Sequence, residues 1–219
     1  MAGSGTLTYR RPTSGRDYWV EDDILPNAGE ISRRCYARED WELGAPYTPQ
    51  PWPGRRAPQA LLPDELERID AWARKVTGAK RLWAEPPPEG RTNYHNYAQL
   101  VGKEESWSRP HTDPRWLCRY AAVLYLTPRP NPTAGTSFYR LRYPDGQLGG
   151  NLCGPRHADL AEALGVTSLP RASWVEDVSV ENRFNRIVLY RADLVHSASS
   201  YFGVEHADKR MTATFFWMA

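Results

Sequence analysis

Arg109-Pro110-His111-Thr112-Asp113-Pro114, followed by the apolar run Ala121-Ala122-Val123-Leu124-Tyr125-Leu126, decides how this chain folds. Pro110 biases Arg109 toward extended backbone, and Pro114 stops any ladder beyond Asp113. His111 and Asp113 are therefore expected at the end of a strand over residues 107–113. At spacing i, i+2 on a strand, two side chains leave the same face. A second histidine, His196, stands 83 residues after Asp113, at the end of Arg186-Ile187-Val188-Leu189-Tyr190-Arg191-Ala192-Asp193-Leu194-Val195-His196-Ser197. Two imidazoles and one carboxylate are a facial iron ligand set that leaves about three octahedral positions open. Read alone, the His-x-Asp pair is a weak signal and reads first as a polar strand end with a mutual hydrogen bond. His196 alone equally fits a buried histidine with one partner.

Working outward, the pattern predicts strands at 82–85, 92–100, 107–113, 118–126, 135–142, 174–180, 185–190, 198–202 and 210–217, punctuated by Pro- and Gly-rich turns. Leu66, Ile69, Ala73 and Val76 recur at helical spacing over 64–77, with acids at the start and Gly78 at the end. A short helix is expected over 159–164, closed by Gly165. Many short strands after a helix indicate a mainly β sandwich or barrel with packed helices. Residues 1–60 read as an irregular N-terminal cover. Six prolines between positions 46 and 63 speak against any regular element there. The whole, 1–219, is expected to be a single domain: cover, then helix plus β core over 61–219.

The order Pro-His-x-Asp, apolar strand, Gly135-Thr136-Ser137-Phe138, apolar strand with a turn into His196, then Arg210-Met211-Thr212 resembles the Fe(II)- and 2-oxoglutarate-dependent dioxygenases. The resemblance spans roughly residues 91–217 and is strongest to a little-described branch of small bacterial members. It implies a double-stranded β-helix (a cupin-like jelly-roll). It also implies Fe(II) on His111, Asp113 and His196, chelated by 2-oxoglutarate, with O2 as the oxidant. The implied reaction gives succinate and carbon dioxide and oxidises a substrate C–H bond. An acid at position 113 favours hydroxylation or another C–H oxidation over halogenation.

A cation must meet the distal carboxylate of 2-oxoglutarate. Arg210 suits it through two-pronged geometry, and Thr212 shares its strand face. Tyr125 and Tyr97 are weaker candidates for that carboxylate, since either is more often a core tyrosine with a satisfied hydroxyl. Arg109, Trp107, Asn93 and Arg140 are candidate substrate contacts, with Arg109 the first choice for a substrate carboxylate. Two other readings stay open: a jelly-roll metalloenzyme with the same triad but no 2-oxoglutarate, and a catalytically silent binding module.

Composition narrows the partners. A formal charge of +2 and the absence of a basic run interleaved with aromatics argue against nucleic acid. No apolar stretch reaches the ~20 residues of a membrane helix, and residues 1–6 have no signal-peptide core. Three cysteines without metal spacing read as reduced thiols, so a cytoplasmic protein acting on a small molecule is expected.

Overall fold

The computed structural model describes residues 7–87 and 89–219; residues 1–6, read above for a leader, and Pro88, read as part of a turn, lie outside the described residues. In chain order the elements are β1 (Leu7–Thr8), β2 (Tyr18–Glu21), α1 (Ala28–Tyr36), β3 (Glu42–Leu43), β4 (Arg55–Pro58), α2 (Pro63–Thr77), β5 (Tyr97–Val101) and β6 (Tyr120–Tyr125). They continue as β7 (Thr136–Leu141), β8 (Leu152–Cys153), α3 (Leu160–Leu164), β9 (Trp174–Val180), β10 (Ile187–Arg191), β11 (His196–Ala198) and β12 (Arg210–Trp217), with 3-10 turns at Arg171–Ser173 and His206–Asp208.

Seven strands form one antiparallel sheet in the order β2-β10-β6-β12-β5-β4-β3. A second sheet runs β11-β7-β9, and β1 pairs with β8. Strand alternation splits the large sheet into two faces. On the outer face Leu100, Leu124, Met211, Ala213 and Phe215 pack against Ile31 of α1 and Ile69 of α2. The Trp217 indole donates to Asp70 of α2 at 2.8 Å, and Ser32 of α1 donates to the Leu126 carbonyl at 2.7 Å. The inner face carries Ala121, Tyr125, Val188 and Tyr190, which meet Phe138 and Val180 of the small sheet.

The pattern-based strands over 174–180 and 210–217 match β9 and β12, and the helix over 64–77 is α2. Five expectations are corrected. Residues 107–113 form no strand. Proline has no N–H, so around His111 only a single bridge to His196 survives, and Asp113 donates its N–H to the Ala192 carbonyl at 3.0 Å. Residues 1–60 are not an irregular cover. They supply β2 at the sheet edge, α1 in the core, and β3 and β4. The prolines of 44–63 do not exclude a strand either: Pro58 ends β4 beyond the reach of β3, which pairs only with Arg55 and Arg56. Finally, 82–85 forms only a bridge between Trp83 and Met218, and β11 begins two residues before the expected 198.

Candidate metal centre

His111, Asp113 and His196 converge, with one ligand atom from each lying within 4.8 Å of the others. The convergence is built by backbone. His111 and His196 exchange N–H···O=C bonds of 2.9 Å in both directions, so this single bridge sets their side chains side by side, ring centroids 4.5 Å apart. Arg109 N–H donates to Ser197 Oγ at 2.9 Å, and Thr112 Oγ1 accepts the Leu160 N–H at 2.8 Å, which ties the motif to β11 and α3.

Each imidazole is oriented by its own chain. Nδ1 of His111 bonds the Arg109 carbonyl at 2.8 Å, and Nδ1 of His196 bonds the Leu194 carbonyl at 2.8 Å. Because a carbonyl only accepts, Nδ1 is the protonated nitrogen and Nε2 keeps its lone pair for a metal. The Tyr190 ring packs 4.3 Å from that of His196 and fixes its plane.

Asp113 is buried, and its Oδ2 has no hydrogen-bond partner among the described residues. Its nearest ring nitrogen is His196 Nε2, at 3.5 Å. Burial pushes the Asp113 carboxyl up to about 6, against the pull of His111 and Arg56. Burial, and then His111, hold His196 well below the usual histidine range, so it is neutral. An orphaned buried carboxylate oxygen between two free imidazole nitrogens is costly in an apolar interior unless a cation completes it. The donor set, two nitrogens and a carboxylate, fits Fe(II).

Deeper on the inner face lies a second set of unfilled groups. Arg210 is 3% exposed, and its guanidinium donates to the carbonyls of Ala134 at 2.9 Å and Gly135 at 3.3 Å. It has no acidic partner among the described residues. The rings of Tyr125 and Tyr201 lie 5.4 and 5.8 Å from it. Gly135 is required where it stands, because a Cβ there would overlap the Val180 carbonyl oxygen. Thr212 is fully buried and its hydroxyl has no partner among the described residues. Tyr125 sits directly across from Thr212 and donates to Thr136 Oγ1 at 2.8 Å. Tyr97 lies opposite Thr214, four residues along β12 from Arg210, or about 13 Å at strand rise. Of the two tyrosines, Tyr125 is thus gathered with Arg210 and Tyr97 is not.

The sequence-based substrate contacts fare differently. Arg109 is exposed and stacks on Trp107, itself exposed, at 4.2 Å. Arg140 is not free for a ligand: it donates to the Gly149 carbonyl and lies 3.7 Å from the Tyr9 ring. Asn93 is spent on a turn, donating to Glu85 O and accepting from His95 N. Sequence reading missed Gln99, which stands between Arg56 and Thr212 in one cross-strand row, and Tyr190. The signal available was alternation along 97–101 and 187–191.

Two surface cavities flank the motif. One, of about 290 Å³, is lined by Asp113, Arg115, Arg119 and Arg191. Its arginines are spent on carbonyls of His157, Cys153 and Arg115 and on Asp193. The other, of about 150 Å³, is lined by His111, Leu160 and Trp174. Neither reaches Arg210, so the unfilled donors belong to the inner face of the sheet.

Residues 8–217 match a family of unknown function, DUF6445, and the chain belongs to it. No curated protein sequence matches it. Among solved structures it is similar to the non-heme α-ketoglutarate-dependent carbocyclase SnoK of nogalamycin biosynthesis (TM-score 0.58, 13% identity, 93% of this chain and 80% of that one). The epimerase SnoN from the same biosynthesis gives TM-score 0.52 and 18% identity over 91% of this chain and 78% of that one. HygX from Streptomyces hygroscopicus, with nickel, 2-oxoglutarate and hygromycin B bound, gives TM-score 0.51 and 18% identity over 91% and 82%. The fold is therefore the jelly-roll of the Fe(II)/2-oxoglutarate-dependent oxygenases.

Proposed function

We propose that this protein is an Fe(II)- and 2-oxoglutarate-dependent oxygenase that oxidises a C–H bond of a small molecule, with 1–219 working as one oxygenase domain. One observation carries the reading: His111 converges with the buried Asp113 and His196, one Asp113 oxygen is orphaned, and Arg210 is buried with no acidic partner among the described residues. His111, Asp113 and His196 hold the metal, and their carbonyl-bonded Nδ1 atoms keep Nε2 aimed at it. Fe(II) with 2-oxoglutarate and O2 supplies the oxidising chemistry when bound. Arg210 takes the distal carboxylate, with Thr212 as a hydroxyl donor; the carbonyls of Ala134 and Gly135 hold the guanidinium in place. Tyr125 lines that pocket and Tyr190 keeps water from His196. The exposed Trp107 and Arg109 form the rim through which a substrate passes.

The test is succinate release from 2-oxoglutarate by Fe(II)-loaded protein while small acids, amino acids and natural-product intermediates are screened. Stimulation that is lost without iron supports the reading. Stimulation only by nucleic acid or a folded protein would contradict the small-molecule assignment.

A further inference from the structure

β4 brings a second cation to the inner face. Arg56 is in register with Gln99, Gln99 with Thr212, and Thr212 with Tyr125, so all four side chains leave the same face of the large sheet. From strand spacing and rise, the Cα atoms of Arg56 and Arg210 lie about 12 Å apart. The Arg56 guanidinium is held between two aromatic rings, 4.3 Å from Tyr94 and 4.9 Å from Trp52. Tyr94 and Trp52 touch edge to face, and Tyr94 touches Tyr97.

What this cage lacks is an acceptor. Among the described residues Arg56 makes no ion pair and no hydrogen bond, and its Nε is buried without a partner. The Trp52 indole N–H, part of a ring that Arg56 packs on, is likewise buried without a partner. Desolvation lowers Arg56 to about 10, and Tyr94, Tyr201, the cross-strand Glu42 and, least, the metal-ligand candidate Asp113 pull it back; Glu42 makes no ion pair with it. Arg56 is thus charged at neutral pH. Unsatisfied donors in such a place are expensive unless an anion satisfies them. 2-Oxoglutarate has its distal carboxylate matched by Arg210, so the second cation is left for another molecule.

We propose that Arg56, assisted by the Trp52 indole N–H, anchors a carboxylate of the substrate, and that the site takes small organic acids. As a statement about the substrate of the oxygenase site, it rests on the function proposed above. It replaces Arg109 as the anchor, because Arg109 is exposed on the rim.

Calorimetric titration tests it. Protein loaded with Ni(II) and 2-oxoglutarate is titrated with the proteinogenic amino acids and short aliphatic acids, each beside its primary amide. At least one acid should bind about 10- to 100-fold tighter than its amide, the worth of one charge-assisted contact. Arg56→Gln should bring that ratio close to one while still binding 2-oxoglutarate. Arg56→Lys, which keeps the charge if the glutamine variant does not fold, and Trp52→Phe should each lower the ratio. Three results would overturn the assignment: no acid preferred over its amide, a preference that survives in the variants, or loss of 2-oxoglutarate binding in Arg56→Gln as in Arg210→Ala. If wild-type protein binds no 2-oxoglutarate, the oxygenase reading fails. The acid-to-amide ratio is then still measured on the Ni(II) protein alone.

Discussion

At the scale of single residues, Asp113 is under two opposed demands. As a ligand it must be ionised, and as a buried group with an orphaned oxygen it resists ionisation. Its folded-state pKa of about 6 lies above the 3.8 of an ordinary aspartate. The folded protein therefore holds more protons between those values, and metal-free stability falls as pH rises through that window. The penalty, about 3 kcal/mol at most, is fully present above about pH 6. Asp113→Asn should raise the metal-free Tm at neutral pH by about 2–10 °C while abolishing metal binding. A lower Tm in thermal denaturation would refute this account of the carboxylate. The same proton sets the pH dependence of metal binding. Calorimetric Ni(II) affinity should fall at least about tenfold for each pH unit below about 6; a flat profile would mean that Asp113 is not a ligand. His196, neutral already, imposes no such requirement. For Arg210→Ala, loss of a charge-assisted contact of ~2–4 kcal/mol corresponds to roughly 30- to 1,000-fold weaker 2-oxoglutarate binding. Titration would check it, and unchanged affinity would move the distal carboxylate to another residue. His111, Asp113, His196, Arg210 and Thr212 could all be read from sequence because their chemistry is marked by residue type and spacing. Arg56 could not: an arginine between prolines in an N-terminal segment looks like surface until its register with Gln99 is known.

At the scale of elements, the strongly periodic segments were readable and the short or proline-flanked ones were not. α2 keeps its apolar stripe over four turns, whereas α1, only nine residues long, offers Ala28, Ile31 and Cys35 among arginines. Tertiary burial makes α1 a core element: Ile31 is fully buried against the outer face of the sheet. α1 also braces the approach to Arg210, since Tyr36 donates to the Lys209 carbonyl at 2.7 Å and its own carbonyl bonds His206 at 2.9 Å. The buried Lys209–Glu105 ion pair closes the same loop. The loop of residues 201–209, which separates Arg210 from His196 by 14 positions, is thus anchored to the N-terminal third. Ile31→Ala should cost about 2–5 kcal/mol in urea denaturation. A cost near zero would return residues 1–60 to the role of a loose cover.

At the scale of the whole molecule, strand alternation does two jobs at once. One face of the large sheet is apolar and sealed by α1 and α2, while the other holds the triad's neighbours and two arginines with no acidic partner among the described residues. The large-sheet strands from β5 onward were readable from their apolar runs. The pairing of β2, β3 and β4 onto them was not, because strands of two to four residues carry too little pattern. The central claim is that the two sets of unfilled groups on the inner face hold one metal–cosubstrate unit. A crystal structure of the protein with Ni(II) and 2-oxoglutarate tests it most directly. We predict the metal on Nε2 of His111, Nε2 of His196 and a carboxylate oxygen of Asp113, with the distal carboxylate of 2-oxoglutarate on Arg210 and Thr212. Metal bound without Asp113, or 2-oxoglutarate held anywhere other than Arg210, would contradict the account.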